Sequence, residues 1–328
     1  MAGHAITPRA AREAVQLSAQ MTYSEASEHL RQFHGIWIAK EPLERLTRTV
    51  GAYWLAEDRR VVEQASRAHK PIAPERTAER CLIFADGVMV HTDGQWHEAR
   101  VGTARVENED SPACKSSIVR LSSVEEFGDD LWRKACQMGY GGAKVRAFIA
   151  DGSHWLWNLA QGRFTGAIQI VDFWHVCQHV SQCGNVFWGE GTEEARQWSL
   201  EVCGTLRAGL VAEALKIVER LSGRSKAKRE AKHQLVTYLT NNRGRMDYPR
   251  YEELGLPIGS GEVEAQCKTL VQARCKQAGM RWSTPGIEQV LRVRCAVKDA
   301  SFDREFGRWK RNLVAWNLRQ KRQRSKAA

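Results

Sequence analysis

Lys144-Val-Arg-Ala-Phe-Ile-Ala150-Asp151-Gly152 is the stretch on which the reading of this chain turns. Its short, almost continuous apolar run has the pattern of a strand buried on both faces. It stops abruptly at an aspartate followed by glycine. A second apolar run, Cys81-Leu-Ile-Phe-Ala85, meets Asp86-Gly87 in the same way and continues through Val90. An acidic residue at such a place suits catalysis better than solvation.

Working outward from these two runs, Asp93-Gly94 is a hairpin signal, and Trp96 to Val106 forms the returning strand. A third strand is expected near Ser117 to Leu121, and a helix from Ser123 to about Gly139. After Lys144–Ala150 come a short helix around His154 to Leu159, a strand from Ala167 to Val171 and a helix from Phe173 to Phe187. Three strands with a hairpin, then helix, strand, helix, strand, helix is the order of an α/β, ribonuclease-H-like catalytic core. In that fold the fourth strand lies parallel beside the first, so Asp86 and Asp151, 65 positions apart (151 minus 86), are expected to be neighbours.

Residues 1–70 read as helical. Pro8 opens the first helix, and Thr22 with Glu25 forms a capping box for a second that ends near Gly35. A third, from about Glu41 to Glu57, carries Arg45, Arg48 and Thr49 on its surface. This resembles a helix-turn-helix DNA-binding region; a plain bundle packed on the core is the alternative. Residues 71–80, with Pro71 and Pro74, read as a linker, and 81–192 as the core. Residues 193–245 read as an all-helical insertion with a basic face, 246–310 as the remainder of the core, and 311–328 as a basic tail.

The 328 residues carry 49 Lys plus Arg against 38 Asp plus Glu, a net charge of +11, which favours polyanionic partners. Nine cysteines without a C-x-x-C pair argue against a disulfide framework or a zinc ribbon. No window is long and apolar enough for a membrane span, so a soluble, cytoplasmic protein is expected.

A third acidic position follows Gly259-Ser-Gly-Glu262-Val-Glu264 and opens a helix rich in cations: Lys268, Arg274, Lys276 and Arg281, with Trp282 placed to stack on a base. Two residues apart on a helix are about 200° apart around its axis, so only one of Glu262 and Glu264 can face a site. Two strand carboxylates and one helix carboxylate are hard oxygen ligands suited to Mg²⁺ or Mn²⁺. Two such ions about 3.5–4 Å apart serve in-line displacement at a phosphodiester. His175 and His179, at i and i+4, can share a helical face, but a zinc site there would need further ligands.

Taken in order, Ile83-Phe-Ala-Asp86-Gly87, Ala150-Asp151-Gly152 with His154-Trp-Leu-Trp157-Asn158, Asp172-Phe-Trp-His175, and Gly259-Ser-Gly-Glu-Val-Glu264-Ala-Gln-Cys-Lys268 resemble the DDE transposases of the Kra group of bacterial insertion sequences, relatives of the Mutator-like superfamily. The resemblance covers nearly the whole chain. It implies a metal-dependent transposase with Asp86, Asp151 and Glu264 as catalytic residues and ligands of two Mg²⁺ or Mn²⁺ ions, with Asp172 and His175 in support. It also implies DNA partners (terminal inverted repeats and target), a homo-oligomer on DNA and a nucleoid location. A DNA-binding remnant without catalysis and a cellular nuclease of the same fold are the other two readings.

Overall fold

The computed structural model describes residues 6–312; the basic run Arg319 to Lys326 falls outside them. Thr7 and Pro8 start α1 (Pro8–Ser18), with the Thr7 hydroxyl accepting from Ala10 N. The capping box of α2 (Tyr23–His34) is complete, and Gly35 closes it in the left-handed region at φ 64°. Helix α3 (Lys40–Ala68) runs eleven residues past the expected end at Glu57. Its second half is polar, so apolar spacing does not mark it. Side-chain pairs one turn apart support it instead, Arg60 with Glu57 and Arg67 with Glu63.

The expected linker is packed rather than free. Glu75 N donates to Gln137 O at 2.7 Å and Ala78 is buried in the main core. Strands β1 (Arg80–Thr92), β2 (Gln95–Asn108) and β3 (Ser111–Arg120) form an antiparallel meander. At the first hairpin, Asp93 and Gly94 both have positive φ, 51° and 81°, the signature of a tight primed turn. Then come α4 (Val124–Gln137), β4 (Val145–Ala150), α5 (His154–Arg163), β5 (Ile168–Val171) and α6 (Phe173–Trp188). The sheet order is β3-β2-β1-β4-β5, with β4 parallel to β1 and β5 parallel to β4. The protein is therefore an α/β fold on a mixed five-stranded sheet.

Helices α7 (Glu193–Arg207), α8 (Val211–Glu219) and α9 (Lys226–Asn242) follow, then α10 (Tyr248–Glu253) and α11 (Gly261–Gln266). Helix α11 continues as six residues of π-helix, Cys267–Gln272, and one turn of α12 (Ala273–Cys275). The chain breaks at 276–283 before α13 (Thr284–Lys298), and residues 302–312 are helical again. No described helix is long and apolar enough to cross a membrane.

The N-terminal helices do not stand alone. Val15, Val50 and Trp54 share one apolar cluster with Val293, Phe302 and Phe306 from the other end of the chain. Beside it lies a buried ionic group that joins four elements. Asp58 of α3 meets Arg120 of β3 at 3.0 Å, Arg133 of α4 at 3.1 Å and Arg292 of α13 at 2.6 Å. Burial alone would push the Asp58 carboxyl up, but Arg133, Arg292 and Arg120 together hold it far below the ordinary carboxylate range. Asp58→Ala would leave these guanidiniums buried with much of their compensation gone. Losing one partner of a buried pair costs about 3–5 kcal/mol, so urea unfolding of this variant is expected to show a loss of that size.

Candidate active site

The β1–β4 register places the two aspartates. Arg80 pairs with Val145 and Phe84 with Ile149, a constant offset of 65, the separation of Asp86 and Asp151. Both therefore stand two residues beyond the last β1–β4 pair, at equivalent places on neighbouring parallel strands. Side chains alternate along a strand, and Ala85 pairs with Gly102, which packs against Phe127 and Leu131 of α4. Asp86 accordingly lies on the opposite face of the sheet. There β1 outruns β4 and α11 packs across β1 and β2.

Asp86 is half-buried. Its Oδ1 accepts from Gly87 N at 2.7 Å, and Cys267 Sγ lies 3.6 Å from its Oδ2. Burial raises its pKa, and the charge of Asp151 adds to the rise, while His175 opposes it. Asp151 is held by Ser153, whose N and Oγ donate to its two carboxylate oxygens at 2.9 and 3.0 Å. The backbone O of Asp151 accepts from the Tyr238 hydroxyl of α9 at 2.8 Å. His179 packs its ring on Tyr238, with centroids 4.2 Å apart, and on His175 at 5.4 Å; burial lowers its pKa. Cys177 turns to Cys203 of α7 instead, and the described residues contain no group of three or more His, Cys, Asp or Glu close enough to hold a metal. The zinc reading therefore finds no ligand set here.

Asp172 does more than cap α6. Its Oδ1 accepts from Trp174 N and His175 N at 2.6 and 3.0 Å. Its Oδ2 accepts from Ser260 N at 2.6 Å and from the Ser260 hydroxyl. One buried carboxylate thus fixes the end of β5, the start of α6 and the residue before α11.

On α11 the two glutamates diverge. Glu262 is taken by Lys115 of β3 at 2.6 Å and by Arg105 of β2 at 3.7 Å. Glu264 is exposed, its carboxylate engages no hydrogen bond or ion pair among the described residues, and its charge acts on the Cys267 thiol that touches Asp86. Asp86 thus feels the charges of Asp151 and His175, while Glu264 stays exposed at the margin, and no three of these groups stand together in ligating contact. Two mutually repelling carboxylates, one of them partly desolvated, make a hard anionic pair that fits a divalent cation.

A glycine after each aspartate leaves room for a phosphate backbone to come close, but neighbouring side chains already occupy part of that room. A Cβ at Gly87 would meet Glu98 Oε1 at 2.3 Å, and one at Gly152, whose φ is +104°, would meet the Tyr238 hydroxyl at 2.7 Å.

Of the residues assigned to DNA, Arg45, Lys268, Lys276 and Arg281 are exposed. Arg48 is partly spent on Gln289 of α13, at 2.9 Å, and on Glu44. Arg274 corrects the expectation: it is 1% exposed, donates twice to Ser18 O and lies between the rings of Tyr23 and Trp282. Trp282 is likewise a packing residue, donating Nε1 to Cys275 O at 3.2 Å. The roles of Ser153, Tyr238, Ser260 and Cys267 escaped the sequence reading. Only Ser153 carried a signal, an Asp-x-Ser turn in which the aspartate accepts from the residue two ahead. No protein-family profile matches the chain, and a search of curated proteins found no relative.

Because burial and Asp151 raise the Asp86 pKa, its protonated form suits the folded state. That stability is present at low pH and lost as pH rises through the unfolded and then the folded pKa. Asp86→Asn is therefore expected to raise the melting midpoint near neutral pH and to leave it unchanged at about pH 3, where the native side chain is already protonated. Thermal unfolding at the two pH values checks this. Arg274→Ala, which strands a buried carbonyl and opens a gap between two rings, is expected to lower stability by about 2–4 kcal/mol. Lys268→Ala and Lys276→Ala, on the exposed side, should leave the same denaturation midpoint unmoved.

Proposed function

We propose that the protein cuts and joins DNA strands as a DDE-type transposase on a ribonuclease-H-like core. The observation that carries this reading is the register equivalence of Asp86 and Asp151 on adjacent parallel strands within the order β3-β2-β1-β4-β5. The same order, with two strand carboxylates and a helix carboxylate approaching from the α11 side, is what the resemblance implies.

In this reading Asp86 and Asp151 would hold Mg²⁺ or Mn²⁺, and Glu264 would complete the ligands. Bound ions of this kind supply activation of the attacking oxygen and neutralisation of charge on the leaving one. The chain's own residues do the positioning. Ser153 orients the Asp151 carboxylate. Asp172 sets where α11 begins. Exposed Lys268, Lys276 and Arg281 line the approach and offset phosphate charge. Hydrolysis would free a 3′-OH at an element end, and that hydroxyl would attack target DNA at the same carboxylates. Terminal inverted repeats and target DNA are the partners, and a homo-oligomer would hold two ends together.

Asp86→Ala, Asp151→Ala and Glu264→Ala are each expected to abolish Mg²⁺-dependent strand cleavage of the DNA bordering the coding sequence, while retaining DNA binding in gel-shift assays. Glu262→Ala is expected to keep cleavage. Unchanged cutting by Glu264→Ala would remove the triad. Binding without any metal-dependent cutting by the wild type would favour a DNA-binding remnant, and cutting without strand joining a nuclease. Mg²⁺ should also raise the melting midpoint of the wild type but not of Asp86→Asn or Asp151→Asn, a readout independent of activity.

A further inference from the structure

Helices α5 and α9 enclose a cleft of about 520 Å³ beside Asp151, within the roughly 300–1,000 Å³ of pockets that take small ligands. Its lining mixes polar and apolar surface and holds no carboxylate among the described residues. It includes four exposed side-chain amides: Asn158 and Gln161 from α5, Gln234 and Asn241 from α9. The amides of Asn158, Gln161 and Asn241 make no hydrogen bond among the described residues. Each amide offers a donor and an acceptor side by side, the pattern that pairs with the edge of a nucleobase.

At one wall the half-buried Arg245 guanidinium lies 4.4 Å from the centre of the Trp157 ring and is held by Gln169 Oε1 at 2.8 Å and Asn241 O at 3.0 Å. A planar cation backed by an indole is a surface on which a base can stack. The mouth is formed by the residues that position the catalytic carboxylate: Gly152, Ser153 and Tyr238 all line the cleft. A nucleotide whose phosphate sits at Asp151 therefore has its base, or the adjoining one, within reach.

We infer that the cleft receives a single nucleobase swung out of the duplex next to the phosphate addressed by Asp86 and Asp151. This inference rests on the DNA-cleaving reading and names the part of the substrate that the helical insertion would recognise. Extrusion exposes the hydrogen-bonding edge that the amides match, and the absence of carboxylates keeps the wall free of repulsion with the backbone.

The test places 2-aminopurine, one position at a time, in duplexes of the DNA bordering the coding sequence, and follows fluorescence and cleavage together in Mg²⁺ with the full chain. The expected result is a several-fold fluorescence rise at one position beside the cut. Asn158→Ala with Asn241→Ala should abolish the rise and slow cutting about tenfold, the loss of one base-edge pairing. An abasic site at that position should slow the wild type to the rate of the double variant and leave the variant unaffected, which a merely structural role would not produce. Cleavage with no fluorescence rise at any position, or equal slowing of both proteins by the abasic site, overturns the inference. If the wild type cuts none of the duplexes, the DNA-cleaving reading itself fails and takes this one with it.

Discussion

The carboxylate of Asp172 is the point on which the candidate site depends. With one oxygen it caps α6, and with the other it grips Ser260 eighty-eight residues later. The second strand of the parallel pair sits next to β5, whose last residue precedes Asp172. The helix carrying Glu264 begins one residue after Ser260. A single desolvated group thus links the strand side of the site to its helix side. Hydrogen bonds to a buried charge are among the stronger polar contacts, and backbone Phe173 N to Ile258 O, at 2.8 Å, seals the same junction. The β1–β4 register places the two aspartates, and this junction places the helix that carries Glu264 against them.

That junction also gives the π-helical turn a meaning. Residues 267–272 have one more residue per hydrogen-bonded loop than an α-helix, a form often found at functional sites. Cys267 at its start touches Asp86, while Glu264 one turn earlier faces solvent. The fixed end at Ser260 and the π-helical turn after Gln266 bracket the segment that carries Glu264.

The sheet was legible because the β1 and β4 runs are apolar and each meets an Asp-Gly, and the 65-residue spacing turned out to be the strand register itself. The capping box at Thr22 and Glu25 was legible for a similar reason: its chemistry is local. What escaped the reading is decided by partners far along the chain. Arg274 sits among cations, yet its acceptor is Ser18 O, 256 residues away, so burial could not be read from its neighbours. Glycine after each aspartate looked like room for a ligand, but the space belongs to Glu98 and Tyr238. Glu262 and Glu264 were indistinguishable by spacing until Lys115 claimed one of them.

The ionic group around Asp58 has a consequence for the timing of synthesis. Its partner Arg292 lies 234 residues further on. At ribosomal speeds of about 5–20 residues per second, roughly 12 to 47 s separate the two. Throughout that interval the long third helix has one face without its final neighbour, and the cluster around Val50 and Trp54 stays open. A nascent chain therefore gains this closure only when α13 and the residues around Phe302 have emerged, long after Asp86 and Asp151 and shortly after Glu264 have been made.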